Sequence, residues 1–184
     1  MDDRKNIKMV LNIALLLVIC IILWWGQQNL SAFYIRILNL SAVFVVLGIS
    51  MNLVLGFTGM FSLGHSGFMC IGAYVAAILT MSPASKEIIY FMEPITPLLA
   101  NVQWPIFPAI VAAGIVSAFF GFLIGIPALR LRDDYLAIAT LGFAEIIRIV
   151  VTNTITITNG ALGLKNIPSV KSLWVYWGIA IITV

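Results

Sequence analysis

The segment GFTGMFSLGHSGFMCIGAYVAA, residues 56–77, interrupts a strongly apolar part of this 184-residue chain. It contains five glycines and the only histidine of the sequence, with serine and threonine hydroxyls between them. Each glycine weakens a helix by about 1 kcal/mol relative to alanine, and the spacing of these five does not collect them on one helix face. A simple membrane anchor has no use for such a segment. The residues TGMFSLGHS, 58–66, are called the glycine break below.

The composition of the whole chain indicates a membrane protein. Hydrophobic residues make up 62% of the chain and charged residues 9%, and the mean hydropathy is +1.11. Soluble domains carry about 25% charged residues, so most of this surface must contact lipid or other membrane helices. The sequence therefore predicts an all-α integral membrane protein, a polytopic helical bundle surrounded by lipid. The net charge of +3 is small and dispersed, and it indicates no nucleic-acid partner.

Apolar runs of about 20 residues are long enough to cross a bilayer as helices. They predict about five full spans and the start of a sixth, with the glycine break between spans 2 and 3. The spans are Met9–Trp25, Ile37–Phe57, Gly67–Met81, Pro105–Leu129, Tyr135–Thr152 and the beginning at Leu173–Val184. Because the last run is short, we expect residues 1–184 to form a single transmembrane domain, the N-terminal part of a longer protein. An interfacial helical turn is predicted at Ile88–Met92.

Basic residues near span ends predict the orientation in the membrane. They cluster before the first span and in the turn between spans 4 and 5, and Lys and Arg are enriched on the cytoplasmic side of membrane proteins. We therefore expect a cytoplasmic N-terminus and external loops at 82–104 and 152–172. The predicted cytoplasmic turn contains Arg130, Arg132, Asp133 and Asp134.

Small residues recur every four positions along the fourth span. This spacing places them on one helix face, where a second helix can approach closely. The ladder consists of Ala109, Ala113, Ser117, Gly121 and Gly125.

The residues alone leave two interpretations of the glycine break open. Non-helical backbone at membrane depth must be buried in protein or line a watery cavity, and broken helices commonly mark translocation paths. The alternative is an ordinary turn at the membrane surface. The candidate path residues are Asn52, Gly56, Thr58, Gly59, Ser62, Gly64, His65 and Ser66. For His65 a structural, hydrogen-bonded role is favoured over a proton relay, because no acidic residue lies within twenty positions of it.

A second constellation lies in the fifth span. Glu145 and Arg148 are three residues apart, hence neighbours on one helix face, and Glu145 lies about 15 Å from Tyr135 along the helix. The spacing predicts an intramembrane ion pair with a structural role rather than a substrate contact. The chain has no recognised catalytic or metal-ligand motif, so we expect no enzyme activity and no metal or cofactor site.

Three segments follow one another along the chain: GFTGMFSLGHSGFMCIGAY, PALRLRDDYLAIATLGFAEIIR and TNGALGLKNIP. Together they resemble the permease family of ATP-binding-cassette importers for branched-chain amino acids, specifically the M-type subunit of its H/M pair. Their order and spacing agree with the family over about residues 56–168. The matching positions of the second segment include Arg130, Arg132, Asp134, Tyr135, Thr140, Glu145 and Arg148.

The resemblance implies a transport subunit in the cell inner membrane that performs no covalent chemistry. Its expected partners are a second, H-type permease subunit, two cytoplasmic ATPases that use the ATP, and an extracytoplasmic solute-binding protein. A permease for urea or short amides is the nearest alternative, and a stand-alone channel or secondary carrier is another.

The chain departs from the family pattern at three positions. Asp133 stands where the family usually has glycine, Asn159 replaces the first glycine of the third segment, and Leu162 replaces a polar residue. Asparagine tolerates a left-handed backbone, so we expect the turn at Asn159 to be preserved. The change at Leu162 leaves the role of that loop open. The family's later cytoplasmic segment, which would dock the ATPase, does not occur in these 184 residues.

Overall fold

The computed structural model describes residues 18, 23–60, 62–91, 93–168 and 172–183, with only the backbone for residues 133 and 134. These residues form helices and connecting segments without any strand. They divide into two compact units, residues 1–52 with 170–184, and residues 53–169. Most of the first predicted span, Met9–Trp25, lies outside the described residues, although 23–29 are helical.

Four long helices and four short ones follow in chain order, with one additional 3₁₀ turn. They are α1 (Ala32–Thr58), α2 (His65–Thr80), α3 (Pro83–Ile89), α4 (Pro97–Ala100), α5 (Ile106–Ala128), α6 (Asp133–Asn153), α7 (Ile155–Thr158), the 3₁₀ turn Gly160–Leu162 and α8 (Leu173–Thr183).

Three of these helices, α1, α5 and α6, are long and apolar enough to cross a membrane. They coincide with the second, fourth and fifth predicted spans, which are thereby confirmed as helices long enough to span. The third predicted span is the 16-residue helix α2, which rises about 24 Å. It is joined to α3 with a bend of 118°, and the two together could count as a fourth span. Within the described residues the predicted number of five full spans is therefore not established.

Two local predictions need correction. Asp133 and Asp134 do not belong to the turn after α5, because they are the first two residues of α6. Acidic residues favour helix N-termini, where the helix dipole is positive. The helical turn predicted at Ile88–Met92 is instead α3, which begins at Pro83. The Ser82 hydroxyl accepts a hydrogen bond from the Ser85 N–H (3.3 Å), and proline is favourable at the first helical position.

The small-residue ladder of α5 packs against α2, as predicted. Ala109 and Ala113 are buried, and the Ser117 hydroxyl donates a hydrogen bond to the carbonyl oxygen of Phe68 (3.3 Å). A β-carbon added to Gly72 of α2 would lie 3.0 Å from that same hydroxyl oxygen. Small side chains on both helices therefore allow the close contact.

The segments predicted as two separate external loops fold together beyond the ends of α2 and α6. Their small core contains Ile78, Tyr90 and Ile95. The Thr96 N–H donates to the Thr156 carbonyl oxygen (3.4 Å), which joins the two segments. Both segments thus lie at the same end of the helices in this unit.

Lys86 holds the first of these segments together. It is 1% exposed, and its ammonium donates to the carbonyl oxygens of Leu99 (2.7 Å) and Val102 (2.6 Å), beside the end of α4. Desolvation by burial lowers the pKa of Lys86. The sequence analysis placed this residue only within the predicted external loop 82–104.

Candidate translocation site

The glycine break separates α1 from α2. Gly59 ends α1 with φ +67, a left-handed conformation that favours glycine. The Thr58 hydroxyl donates to the Val54 carbonyl oxygen and accepts from the Met60 N–H (3.3 Å). These two local bonds satisfy backbone groups where the helix stops. The backbone is non-helical at 59, 60 and 62–64, and α2 begins at His65.

The second half of the glycine break is attached to α6. The Leu63 N–H donates to the hydroxyl oxygen of Thr140 (3.0 Å), and that hydroxyl donates to the Ala137 carbonyl oxygen (3.0 Å) within α6. A β-carbon added to Gly64 would lie 3.3 Å from the Thr140 β-carbon. The glycine therefore lets the backbone of the break approach α6.

The start of α2 makes a still closer contact. A β-carbon at Gly67 would lie 2.9 Å from the Ile147 side chain and 3.0 Å from the Ala144 α-carbon. Real β-carbons do not approach other atoms this closely. The contact thus requires glycine at position 67 unless α2 and α6 move apart.

Both neighbouring helices extend well past the glycine break. Thr140 lies seven residues after the start of α6, which corresponds to about 10 Å along the helix. Just after the break, a β-carbon added to Gly121 of α5 would lie 3.8 Å from the ring of Phe68 in α2, and α5 continues for another seven residues, again about 10 Å. The break therefore lies beside the body of α6 rather than beside its end. Its position at depth in a membrane stays a prediction.

The remaining predicted path residues differ in exposure. His65 is half-buried as the first residue of α2, and no hydrogen bond joins its ring to any described residue, so its predicted structural role stays a prediction. Asn52, Gly56 and Ser66 are exposed in the isolated chain. The Ser62 hydroxyl oxygen accepts a long bond from the Gly64 N–H (3.5 Å). A role of these residues in transport remains a prediction.

Glu145 and Arg148 make the predicted contact. A guanidinium nitrogen of Arg148 donates to a carboxylate oxygen of Glu145 at 2.9 Å. The side chains are 52% and 72% exposed, respectively, so no other described residue covers the pair. Its depth in a membrane and its role remain predictions, as does the cytoplasmic position of Arg130 and Arg132, which are exposed after α5.

The third segment forms a sharply turned loop at the far end of α6. Asn159 has φ 61, so the predicted left-handed turn is preserved, and its amide donates to the Gly163 carbonyl oxygen (2.9 Å). A depression of about 240 Å³ lies beside it, roughly 18 Å along α6 from Thr140. It is lined by Thr152, Asn153, Ile155, Asn159, Ala161 and Leu162.

Two residues, Thr140 and Tyr90, make long-range hydrogen bonds for which the sequence predicted no specific role. Thr140 bonds to Leu63 across 77 positions, and the Tyr90 hydroxyl donates to the Ile157 carbonyl oxygen across 67. Burial, with a smaller contribution from Tyr74, raises the pKa of Tyr90 to about 12. A buried Thr or Tyr in an apolar run signals only that its hydroxyl needs a partner.

The helices and the glycine break define an integral membrane protein with a broken helix. Comparison with known proteins gives the particular family. The family described as "Branched-chain amino acid transport system / permease component" matches residues 33–174, and the chain belongs to it.

Two curated relatives support the same assignment. Both are named "High-affinity branched-chain amino acid transport system permease protein LivM". The protein from Salmonella typhimurium is 38% identical over 166 residues, and the one from Escherichia coli is 37% identical over 166 residues. Each match covers 90% of this chain and 34% of the relative, so the chain spans about a third of the length of these relatives. No solved structure matches significantly.

Proposed function

We propose that this chain is part of the permease subunit of an ATP-dependent importer for branched-chain amino acids. The observation that carries the proposal is the family match over residues 33–174. A glycine break whose Leu63 backbone bonds to α6 supports it, because broken helices are common at transport sites. The permease provides the path for the solute and performs no covalent reaction. It carries no cofactor, and its partners consume the ATP.

The proposed assembly contains four kinds of subunit. A second, H-type permease subunit completes the path, two cytoplasmic ATPases supply the energy, and an extracytoplasmic protein delivers the solute. The names of both relatives, which describe transport of branched-chain amino acids, support this solute class. Five or more spans in the complete subunit agree with the apolar runs of the sequence.

Reconstitution of the complete transporter tests the function. The full-length permease, its partner permease, the ATPases and the binding protein are placed in liposomes. We expect ATP-dependent accumulation of leucine, isoleucine or valine, which unlabelled urea or acetamide does not compete away. Accumulation of the amides instead would favour the alternative solute class. Accumulation without the ATPases would contradict the importer and favour a secondary carrier or channel.

We propose that the transporter lies in the cell inner membrane. In the proposed orientation, the N-terminus and the Arg130–Arg132 turn face the cytoplasm. Thiol labelling of intact cells tests it, with single cysteines at two exposed positions, Arg130→Cys and Glu87→Cys, in a variant lacking Cys20 and Cys70. A membrane-impermeant maleimide should react at position 87 and reach position 130 only after permeabilisation. The reverse pattern would contradict the orientation.

A further inference from the structure

Residues 59–64 of the glycine break, as far as the structure describes them, have few hydrogen-bond partners for their backbone N–H groups. Within the described part, the Met60 N–H and the Gly64 N–H bond to hydroxyls two residues away, at 3.3 and 3.5 Å. Among the described residues, the hydrogen bond from Leu63 to Thr140 is the one that joins this part of the break to α6. Buried backbone groups need such partners, particularly where water is scarce.

Thr140 is arranged to serve as that partner. Its side chain is 7% exposed, and its hydroxyl uses its proton on the Ala137 carbonyl oxygen, which leaves the oxygen free to accept from Leu63. A hydroxyl has one proton to donate and can accept at the same time. The missing side chain of Gly64, next to Thr140, allows the backbone to come within this distance.

We infer that Thr140 is a positioning residue that fixes the glycine break against α6 and so keeps the path residues at a constant depth. The inference deepens the proposed function and rests on it where it concerns transport. Thr140 does not need to contact the solute. It acts through Leu63, and through Leu63 on the neighbouring candidate path residues Ser62 and Gly64.

Thr80 provides a matched control in the same unit. It is also 7% exposed, but its hydroxyl donates only to carbonyl oxygens of its own helix, those of Ala76 (2.8 Å) and Ala77 (3.3 Å). Thr80→Val and Thr140→Val therefore remove the same atoms from equally buried sites. Only the second removes a bond to the glycine break.

The test measures access to the break in the full-length permease within its complete transporter. A Ser62→Cys reporter, in a variant lacking Cys20 and Cys70, is alkylated with a small maleimide. Thr140→Val should raise the alkylation rate about 2- to 10-fold. Losing one hydrogen bond increases by about this factor the fraction of molecules in which the break is released from α6. Thr140→Ser, which keeps the hydroxyl, and Thr80→Val should leave the rate unchanged. Equal rates in Thr140→Val and the parent, or an equal rise in Thr80→Val, would overturn the inference.

Two further measurements, hydrogen exchange and uptake, distinguish a variant that does not fold from a wrong inference and from a wrong proposed function. If Thr140→Val does not fold, hydrogen exchange of the unaltered protein remains decisive. The Leu63 amide should then exchange at least about tenfold more slowly than the Met60 amide, and equal exchange would overturn the inference. ATP-dependent uptake by the same complexes tests transport separately. If alkylation is faster in Thr140→Val alone but the parent complex shows no uptake, the proposed function is contradicted. The inferred role of Thr140 in positioning the break would still hold.

Discussion

Gly67 of α2 and Ala144 of α6 bring two helix backbones into direct contact. A β-carbon at position 67 would lie 3.0 Å from the Ala144 α-carbon and 2.9 Å from the Ile147 side chain. The Ile147 side chain could rotate away, but the backbone of α6 could not move without disturbing the nearby bond between Thr140 and Leu63. The contact therefore fixes the distance between the broken helix and its neighbour.

The first prediction is that Gly67→Ala destabilises the full-length permease by about 1–3 kcal/mol, the usual cost of overpacking a close contact. Its control is Gly142→Ala, since a β-carbon at Gly142 would meet nothing within 4 Å. The measurement is the thermal unfolding midpoint in detergent. Equal midpoints for the two variants would contradict the close contact.

The second prediction concerns the left-handed residue that ends α1. Gly59 has φ +67 with open space around it, so only its backbone conformation opposes a side chain. Gly59→Ala should therefore cost about 1–2 kcal/mol, and Gly59→Asn should cost less because asparagine tolerates this conformation. Gly48→Ala, inside α1 and also in open space, should be neutral or stabilising. Unfolding midpoints of the three variants test this order, and a loss in Gly48→Ala as large as in Gly59→Ala would refute it.

The features predicted from sequence are those encoded locally. The long apolar runs predicted α1, α5 and α6, and the glycine spacing predicted the break at Gly59. The Thr140–Leu63 bond joins positions 77 apart, and no local pattern specifies such a distant partner. For the same reason, the sequence did not predict that the two segments expected to be external loops, 82–104 and 152–172, fold together. The Ser-Pro and Thr-Pro pairs at 82–83 and 96–97 are helix-start signals that could have predicted α3 and α4.

The third prediction is that Lys86→Met destabilises the segment 82–104. Methionine retains most of the stem but removes the ammonium that donates to the carbonyl oxygens of Leu99 and Val102. Among the described residues, only the Leu99 oxygen keeps another donor, the Val102 N–H (3.4 Å). Hydrogen bonds to charged groups contribute about 1.5–3 kcal/mol each, and part of this is recovered because a buried charge is removed. The measurement is the proteolysis rate between residues 87 and 104, with Lys165→Met, at an exposed position, as the control. Unchanged proteolysis in Lys86→Met would show that the segment does not depend on this lysine.

The fourth prediction is a pH dependence from Tyr90. Burial raises the pKa of Tyr90 from 10.0 to about 12, so the folded protein favours the neutral phenol that donates to Ile157. Its contribution to stability should be complete below pH 10 and be lost as the pH rises from about 10 to 12. The difference in unfolding midpoint between the parent and Tyr90→Phe should therefore shrink across this range. The exposed Tyr135→Phe serves as control, and a difference that stays constant with pH would contradict the assignment.

The last prediction concerns the exposed ion pair of α6. Glu145 and Arg148 are in contact at 2.9 Å on a helix apolar enough to span a membrane. An uncompensated charge near the bilayer centre costs roughly 2.5–3.5 kcal/mol, so removing either partner should leave the other poorly accommodated. Glu145→Gln and Arg148→Gln should each lower the unfolding midpoint of the full-length permease, and the double variant should recover part of the loss.

A double-mutant cycle on thermal stability and uptake checks this expectation. Glu87→Gln, which removes an exposed charge outside α1, α5 and α6, serves as the control and should change little. If the pair is only structural, transport per folded complex in the double variant should stay near that of the parent. Additive losses of stability would show that the two residues do not stabilise each other. A stable double variant that transports nothing would place the pair on the solute path, because the loss would then follow from its chemistry and not from folding.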